Sequence, residues 1–195
     1  MKNKILNKNF FDRSALIVAK DLLGKYLVRH IGKKSPTLKG LPEALKKQLS
    51  SKGGGRFMIT EVEAYSGFND KASHASRGKT KRNAPMFGEA GRWYVYFTYG
   101  MHWMLNAVTG PEGFPAAVLI RGVEDINGPG RLTKHLGIDK KFSGKIILPK
   151  TGIWIEDRGV KIKFSQIKRM PRIGVTYAGP VWSKKKWRFV IDNIK

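Results

Sequence analysis

Glu61 and Glu63 stand two residues apart in a segment, Arg56 to Tyr65, whose alternation reads as a β-strand. Both fall on the face that carries Phe57, Ile59 and Tyr65, because side chains two apart point the same way. A carboxylate on a buried face is costly unless it is paired, protonated or working. The two acids therefore have two readings, acid–base chemistry or structural ion pairing with some of the many arginines. Tyr65, Tyr94, Tyr96 and Tyr99 form the second group. As sheet residues they fill a core with their hydroxyls satisfied; as a functional set they make a stacking box for a flipped nucleobase, with His74 and Asn106 supplying polar groups. An alkylated, cationic base would gain further from the π-faces. His74 lies in the polar run Asp70 to Arg77, which leaves the strand end carrying Tyr65, and alone it is an ordinary loop histidine. Arg77, Lys79, Lys81 and Arg82 follow it directly, either a solvated loop or a grip on a phosphate backbone. The four histidines, at 30, 74, 102 and 135, show no ligand spacing and there is no cysteine, so neither a metal nor another cofactor is expected.

The elements that must hold these residues can be read around them. Asp12 is placed to cap a helix through Leu23, since Ala15, Leu16, Ala19, Leu22 and Leu23 recur at helical spacing and Gly24 stops it. Lys25 to Arg29 reads as a strand. Residues 32–55 shift to Lys, Ser, Pro and Gly and are expected to form an exposed, mobile insertion, with one short helix between Pro42 and Leu49. Trp93 to Thr98 and Trp103 to Val108 read as a β-hairpin across Tyr99-Gly100-Met101-His102, in a register that sets Tyr96 opposite Asn106. Ala116 to Arg121 is a further apolar strand. Gly128-Pro129-Gly130 before Arg131 looks like a glycine-rich helix start, of the kind whose free N–H groups bind phosphate. Lys145–Leu148, Gly152–Ile155, Arg172–Ala178 and Trp187–Ile191 are expected as additional strands. Strands outnumber helices, which fits an α+β fold with a mainly antiparallel sheet.

The totals narrow the partners. Thirty-eight Lys and Arg face 14 Asp and Glu across 195 residues, a formal net charge of +24. The basic residues run from Lys2 to Lys195, so the excess belongs to the whole surface and points to nucleic acid. No run approaches the roughly 20 apolar residues of a spanning helix, and Met1 to Phe11 has no apolar signal core. An intracellular, nucleic-acid-associated protein is expected, in the cytoplasm of a prokaryote or the nucleus of a eukaryote. The length suits one domain.

Taken in order, Glu61-Val62-Glu63-Ala64-Tyr65, His74, Arg82-Asn83, Met86-Phe87 and Tyr94 to Met101 through Asn106 resemble the alkyladenine (3-methyladenine) DNA glycosylase family. The likeness continues in Phe10-Phe11-Asp12, Val18 to Lys25, Leu119-Ile120-Arg121, Gly128 to Thr133 and Arg172 to Val175, and departs from the family at the long 32–55 segment. It implies a single compact domain over residues 1–195 with a curved sheet, flanking helices and a protruding hairpin. It also implies a monofunctional enzyme acting on duplex DNA that holds damaged purines: 3-methyladenine, 7-methylguanine, hypoxanthine or ethenoadenine; excising one base needs only one active site, so a monomer is the default expectation.

By the same resemblance Glu63 is the general base that deprotonates the attacking water, with Arg121 helping to hold that water. Tyr65, His74 and Tyr96 sandwich the base, and Asn106 obstructs guanine's amino group. Tyr99, with Met101 beside it, fills the gap in the duplex, while Arg77, Lys79, Arg82 and Arg131 serve as DNA contacts. Two other classes remain open on residue types alone. A non-catalytic nucleic-acid-binding protein would use the same charge and aromatics. A metal-dependent nuclease would use the acids to hold cations.

Overall fold

The computed structural model describes residues 3–33, 39, 41–51 and 53–192. Its strands are β1 (Lys4–Ile5), β2 (Tyr26–Arg29), β3 (Gly55–Ser66), β4 (Trp93–Thr98), β5 (His102–Val108), β6 (Ala116–Val123), β7 (Ile126–Asn127), β8 (Ile153–Asp157), β9 (Ile167–Met170) and β10 (Arg188–Ile191). The helices are α1 (Lys8–Phe11), α2 (Ala15–Leu22), α3 (Glu43–Leu49), α4 (Pro129–His135) and α5 (Gly179–Lys184). Strand order is β1-β8-β2-β3-β6-β5-β4, with β10 also on β3, β9 on β10 and β7 on β6, and the paired strands run antiparallel. This is the expected α+β domain with a curled antiparallel sheet.

β3 turns the sheet and sets the site. Its first half pairs with β2 and its second half with β10, while β6 runs along its other side. Between Ile59 and Val62 the β3–β6 register shifts twice, so that Glu61 lies opposite Gly122 and Val62 opposite Ile120. These irregularities reverse the facing of the chain. Phe57 and Ile59 belong to the main core, but so do Val62 and Ala64, three residues further on rather than two. Val123, Ile120 and Val118 repeat the same step on β6. The expectation that Phe57, Ile59, Glu61, Glu63 and Tyr65 share one face is thereby corrected: the acids and Tyr65 point away from the main core, Tyr65 into a second, tyrosine-rich cluster.

α2 covers the opposite face, burying Ala15, Val18, Ala19 and Leu22 at helical spacing. It begins after Ser14 rather than Asp12, because Asp12 ends the separate short helix α1. Gly24 then takes a φ of +79°, and a Cβ there would lie 2.7 Å from Ile162 Cγ1, so glycine is needed twice over. The 32–55 segment, expected to be exposed, contains α3 as foreseen, but Leu45 and Leu49 of that helix lie in the main core. Its described helix is thus anchored; residues 34–38, 40 and 52 lie outside the described residues.

The β4–β5 hairpin pairs Tyr94 with Asn106 and Tyr96 with Met104, two residues away from the expected register. A two-residue slip preserves facing, so Tyr94, Tyr96 and Asn106 still share a side. The hairpin's base is buried, and its tip protrudes, with Tyr99 75% and Met101 66% exposed. Two expected strands are absent. Lys145–Leu148 contributes only an isolated bridge from Ile146 to Arg92, and Arg172–Ala178 is a turn and one 3₁₀ turn.

Candidate active site

Glu63 is the buried centre of the second cluster, with no exposed surface. Its Oε2 accepts from the Tyr65 hydroxyl at 2.7 Å, its Oε1 accepts from the Ile173 N–H at 2.8 Å, and Arg121 Nη1 stands 3.4 Å from Oε1. Burial pushes its pKa above the ordinary carboxylate value, while Arg121, the Ile173 N–H, Tyr65 and Arg172 pull against that rise. Glu61 is the ion-paired one, its Oε1 accepting from Arg121 Nε at 3.0 Å and from Arg188 Nη1 at 2.9 Å. Glu63 is the enclosed one, and Arg121 bridges the pair.

Around it the sheet and the 3₁₀ turn His74–Arg77 bring the aromatic residues together. His74 and Tyr96 meet edge to face with centroids 4.5 Å apart, and Tyr94 lies 5.1 Å from Tyr96. His74 Nδ1 is 3.2 Å from the Tyr94 hydroxyl, and Asn83 Nδ2 donates to the His74 carbonyl at 3.0 Å. Desolvation of the ring and the charge of Arg82 lower the His74 pKa, which favours the neutral ring. Burial raises the Tyr65 and Tyr96 hydroxyls, keeping both protonated. Asn106 is buried, its Nδ2 donating to the carbonyls of Tyr94 at 3.0 Å and Met104 at 3.2 Å.

The expected DNA contacts are spread more widely. Arg82 sits over the Tyr96 ring at 5.2 Å and donates to the Phe97 carbonyl at 2.7 Å, beside the cluster. Arg77 is exposed at the end of the His74 turn, and Lys79 lies 5.8 Å over Phe87. Tyr99 has a φ of +51°, a left-handed conformation unusual for an aromatic residue. Its hydroxyl reaches to within 3.4 Å of where a Gly174 Cβ would stand. Arg131 is on α4, which packs Leu132 into the main core, where Leu136, just after the helix, also lies. The glycine before it serves packing: a Cβ on Gly130 would lie 2.7 Å from His102 Cγ, beside the hairpin's turn.

Residue-by-residue reasoning missed the backing of the site. Arg172 and Asp70, wholly buried and 102 residues apart, form a two-pronged ion pair behind Tyr65. In the sequence, Arg172-Ile173-Gly174-Val175 stands in the family likeness with no role attached, and Asp70 only opens the polar run before His74. A cavity of about 740 Å³ lies elsewhere, between Lys4, Arg13, Lys25, Asp157 and Ile162. Among the described residues no group of three or more His, Cys, Asp or Glu could hold a metal ion, and no helix is long and apolar enough to cross a membrane.

Comparison with known proteins gives this site its setting. The family model described as methylpurine-DNA glycosylase (MPG) matches residues 41–127 and 124–195. A relative from Ehrlichia chaffeensis is 40% identical over all of this chain and 97% of its own length. One from Legionella pneumophila strain Corby is 42% identical, covering 96% of this chain and 94% of the relative, and one from Methanocella arvoryzae is 39% identical, covering 97% and 93%. All three bear 3-methyladenine DNA glycosylase names given provisionally. The class is therefore that of DNA glycosylases, enzymes of DNA repair. Within it, the chain belongs to the methylpurine-DNA glycosylase family.

Proposed function

We propose that this protein removes alkylated or deaminated purines, namely 3-methyladenine, 7-methylguanine, hypoxanthine and ethenoadenine, from duplex DNA by hydrolysis, leaving an abasic site. The observation that carries the reading is Glu63: a carboxylate without exposed surface, its pKa raised by burial, held by two donors beside Arg121 at the foot of a tyrosine-rich cluster. A base whose pKa has moved toward neutrality is better matched to taking a proton from water. In the proposed step Glu63 accepts that proton, the water oxygen joins C1′, and the bond from C1′ to the purine nitrogen breaks. The carboxylate also stabilises the positive charge that develops on the sugar, and Arg121 helps to hold the water.

The purine lies between Tyr65 on one side and His74 with Tyr96 on the other, and Asn106 excludes guanine's exocyclic amino group. Tyr99 and Met101 occupy the space that the purine vacates, and Arg77, Lys79, Arg82 and Arg131 hold phosphates. Purines methylated at N3 or N7 leave as cations already; hypoxanthine and ethenoadenine need a proton and depend more on the pocket. The protein works as a monomer, with no Schiff-base nucleophile and no cofactor.

The test is base release, with chelator present, from duplex DNA holding one ethenoadenine or hypoxanthine and from methylated DNA, by wild type and Glu63→Gln. Release by wild type alone supports the reading. Release by both displaces Glu63. Release by neither, with binding intact, moves the protein to the non-catalytic class, and a covalent adduct trapped by borohydride would overturn the hydrolytic step.

A further inference from the structure

We propose that Arg172, locked by Asp70, is a positioning residue of the Glu63 centre: it fixes the Tyr65 ring and the Ile173 N–H in the places from which they hold the carboxylate. This rests on the reading of Glu63 as the base. The geometry gathers four stretches of chain on one guanidinium. Nη1 and Nη2 donate to Asp70 Oδ2 and Oδ1 at 2.6 and 2.8 Å, and Nη1 also donates to the carbonyl of Ala64 at 2.9 Å, between Glu63 and Tyr65 on β3. One flat side lies 4.7 Å from the Tyr65 ring centre, and Trp187, just before β10, lies 5.0 Å away. The next residue, Ile173, gives Glu63 its backbone donor.

Asp70 is itself tied down, accepting from the N–H groups of Ser66 at 3.2 Å and Ala72 at 3.1 Å. Both side chains of the pair have no exposed surface, and Arg172 Nε is buried without a partner among the described residues. A buried ion pair is a poor route to stability compared with apolar packing of equal volume. What a rigid fork supplies here is direction, joining β3, the loop after it and the turn after β9 around one carboxylate.

The clamp has a signature that a merely structural role lacks. The groups facing Glu63 are Tyr65 on β3, Arg121 on β6, Tyr96 on β4 and the Ile173 N–H with Arg172 from the turn after β9. Behind them stand Asp70 on Arg172, Glu61 on Arg121 with Arg188 on Glu61, and Tyr177, whose hydroxyl donates to the Ala72 carbonyl. Loosening Tyr65 and Ile173 removes donors that favour the ionised carboxylate, so Glu63 would lose its proton only at higher pH.

The experiment compares wild type, Arg172→Lys, Asp70→Asn and Glu63→Gln, all full length. Single-turnover excision from a duplex with one ethenoadenine is followed from acid to neutral pH, along with half-saturation and thermal unfolding. Arg172→Lys keeps the charge and loses the fork; Asp70→Asn keeps the shape and weakens it, and decides the matter by the same readings if the lysine variant does not fold. The expected result is a rate at least roughly 10-fold lower with half-saturation nearly unchanged, and an acid limb displaced upward by about one pH unit. Lower melting temperature with the limb in place would overturn the clamp and leave Glu63 as the base. Activity surviving in Glu63→Gln would instead overturn the reading on which the clamp rests.

Discussion

Glu63→Gln should make the protein more stable at neutral pH while abolishing excision. Burial raises the folded-state pKa of Glu63 above its ordinary value, so the folded protein holds this proton more tightly than the unfolded chain. The associated stability is intact below the ordinary carboxylate pKa and is lost as pH rises through the folded value. Glutamine keeps the shape: its carbonyl oxygen accepts from Ile173, its amide donates to the Tyr65 hydroxyl, and Arg121 retains Glu61 at 3.0 Å. The loss is the charge assistance of two hydrogen bonds, roughly 1 kcal/mol each. The gain is relief of a buried-ion penalty of several kcal/mol, on the order of 3–4 here given the partial compensation by Arg121. The net is about 1–2 kcal/mol, a rise in melting temperature of roughly 3–6 °C for a chain of this size. Thermal unfolding of both proteins from pH 3 to 8 would measure it, the difference vanishing at the acid end. A variant that melts lower than wild type at pH 7, by a margin that does not change with pH, would refute the argument and show that pairing with Arg121 outweighs desolvation.

Tyr99→Ala should weaken excision and capture of the flipped base yet leave unfolding within about 0.5 kcal/mol of wild type, because the side chain is exposed. Leu49→Ala should cost about 2–5 kcal/mol in chemical unfolding, since this residue of the 32–55 segment is fully buried in the core. A surface-like effect would detach α3 from the core. Binding to undamaged duplex should fall steeply with salt, with a log–log slope of about −0.9 per phosphate neutralised. A flat titration would contradict the electrostatic account of the +24 charge.

Local pattern carried much of the fold. The apolar spacing of α2, the alternation of β3 and β6, the aromatic arms of the hairpin and even α3 were legible because each is written in adjacent residues. The facing of Glu63 was not, because strict alternation assumes an unbroken pleat and the shifts between Ile59 and Val62 break it. The hairpin register was missed by two residues: glycine marks a turn but not which residues close it, and here Thr98 pairs with His102. Arg172–Ala178 has strand-like composition yet folds as turns, since Arg172 is claimed by Asp70 across 102 residues. Such a pairing leaves no trace in any local window. For the site, residue types supplied the chemistry and the resemblance supplied the roles; the meeting of Glu63, Tyr65, Arg121 and Ile173 belongs to the three-dimensional structure.

The paired irregularities of β3 and β6 work like a phase change in a repeating signal. On one side of Thr60 the odd-numbered residues face the core, and on the other side the even-numbered ones do. A regular pleat run through the same residues, without the shift, would send Glu61, Glu63 and Tyr65 into the apolar interior, with Val62 and Ala64 turned outward. No side chain need be altered for the centre to be destroyed. Loops elsewhere can lengthen or shorten, but at this point the spacing is itself the information, and transplanting the centre into another sheet would require copying the defect along with the residues.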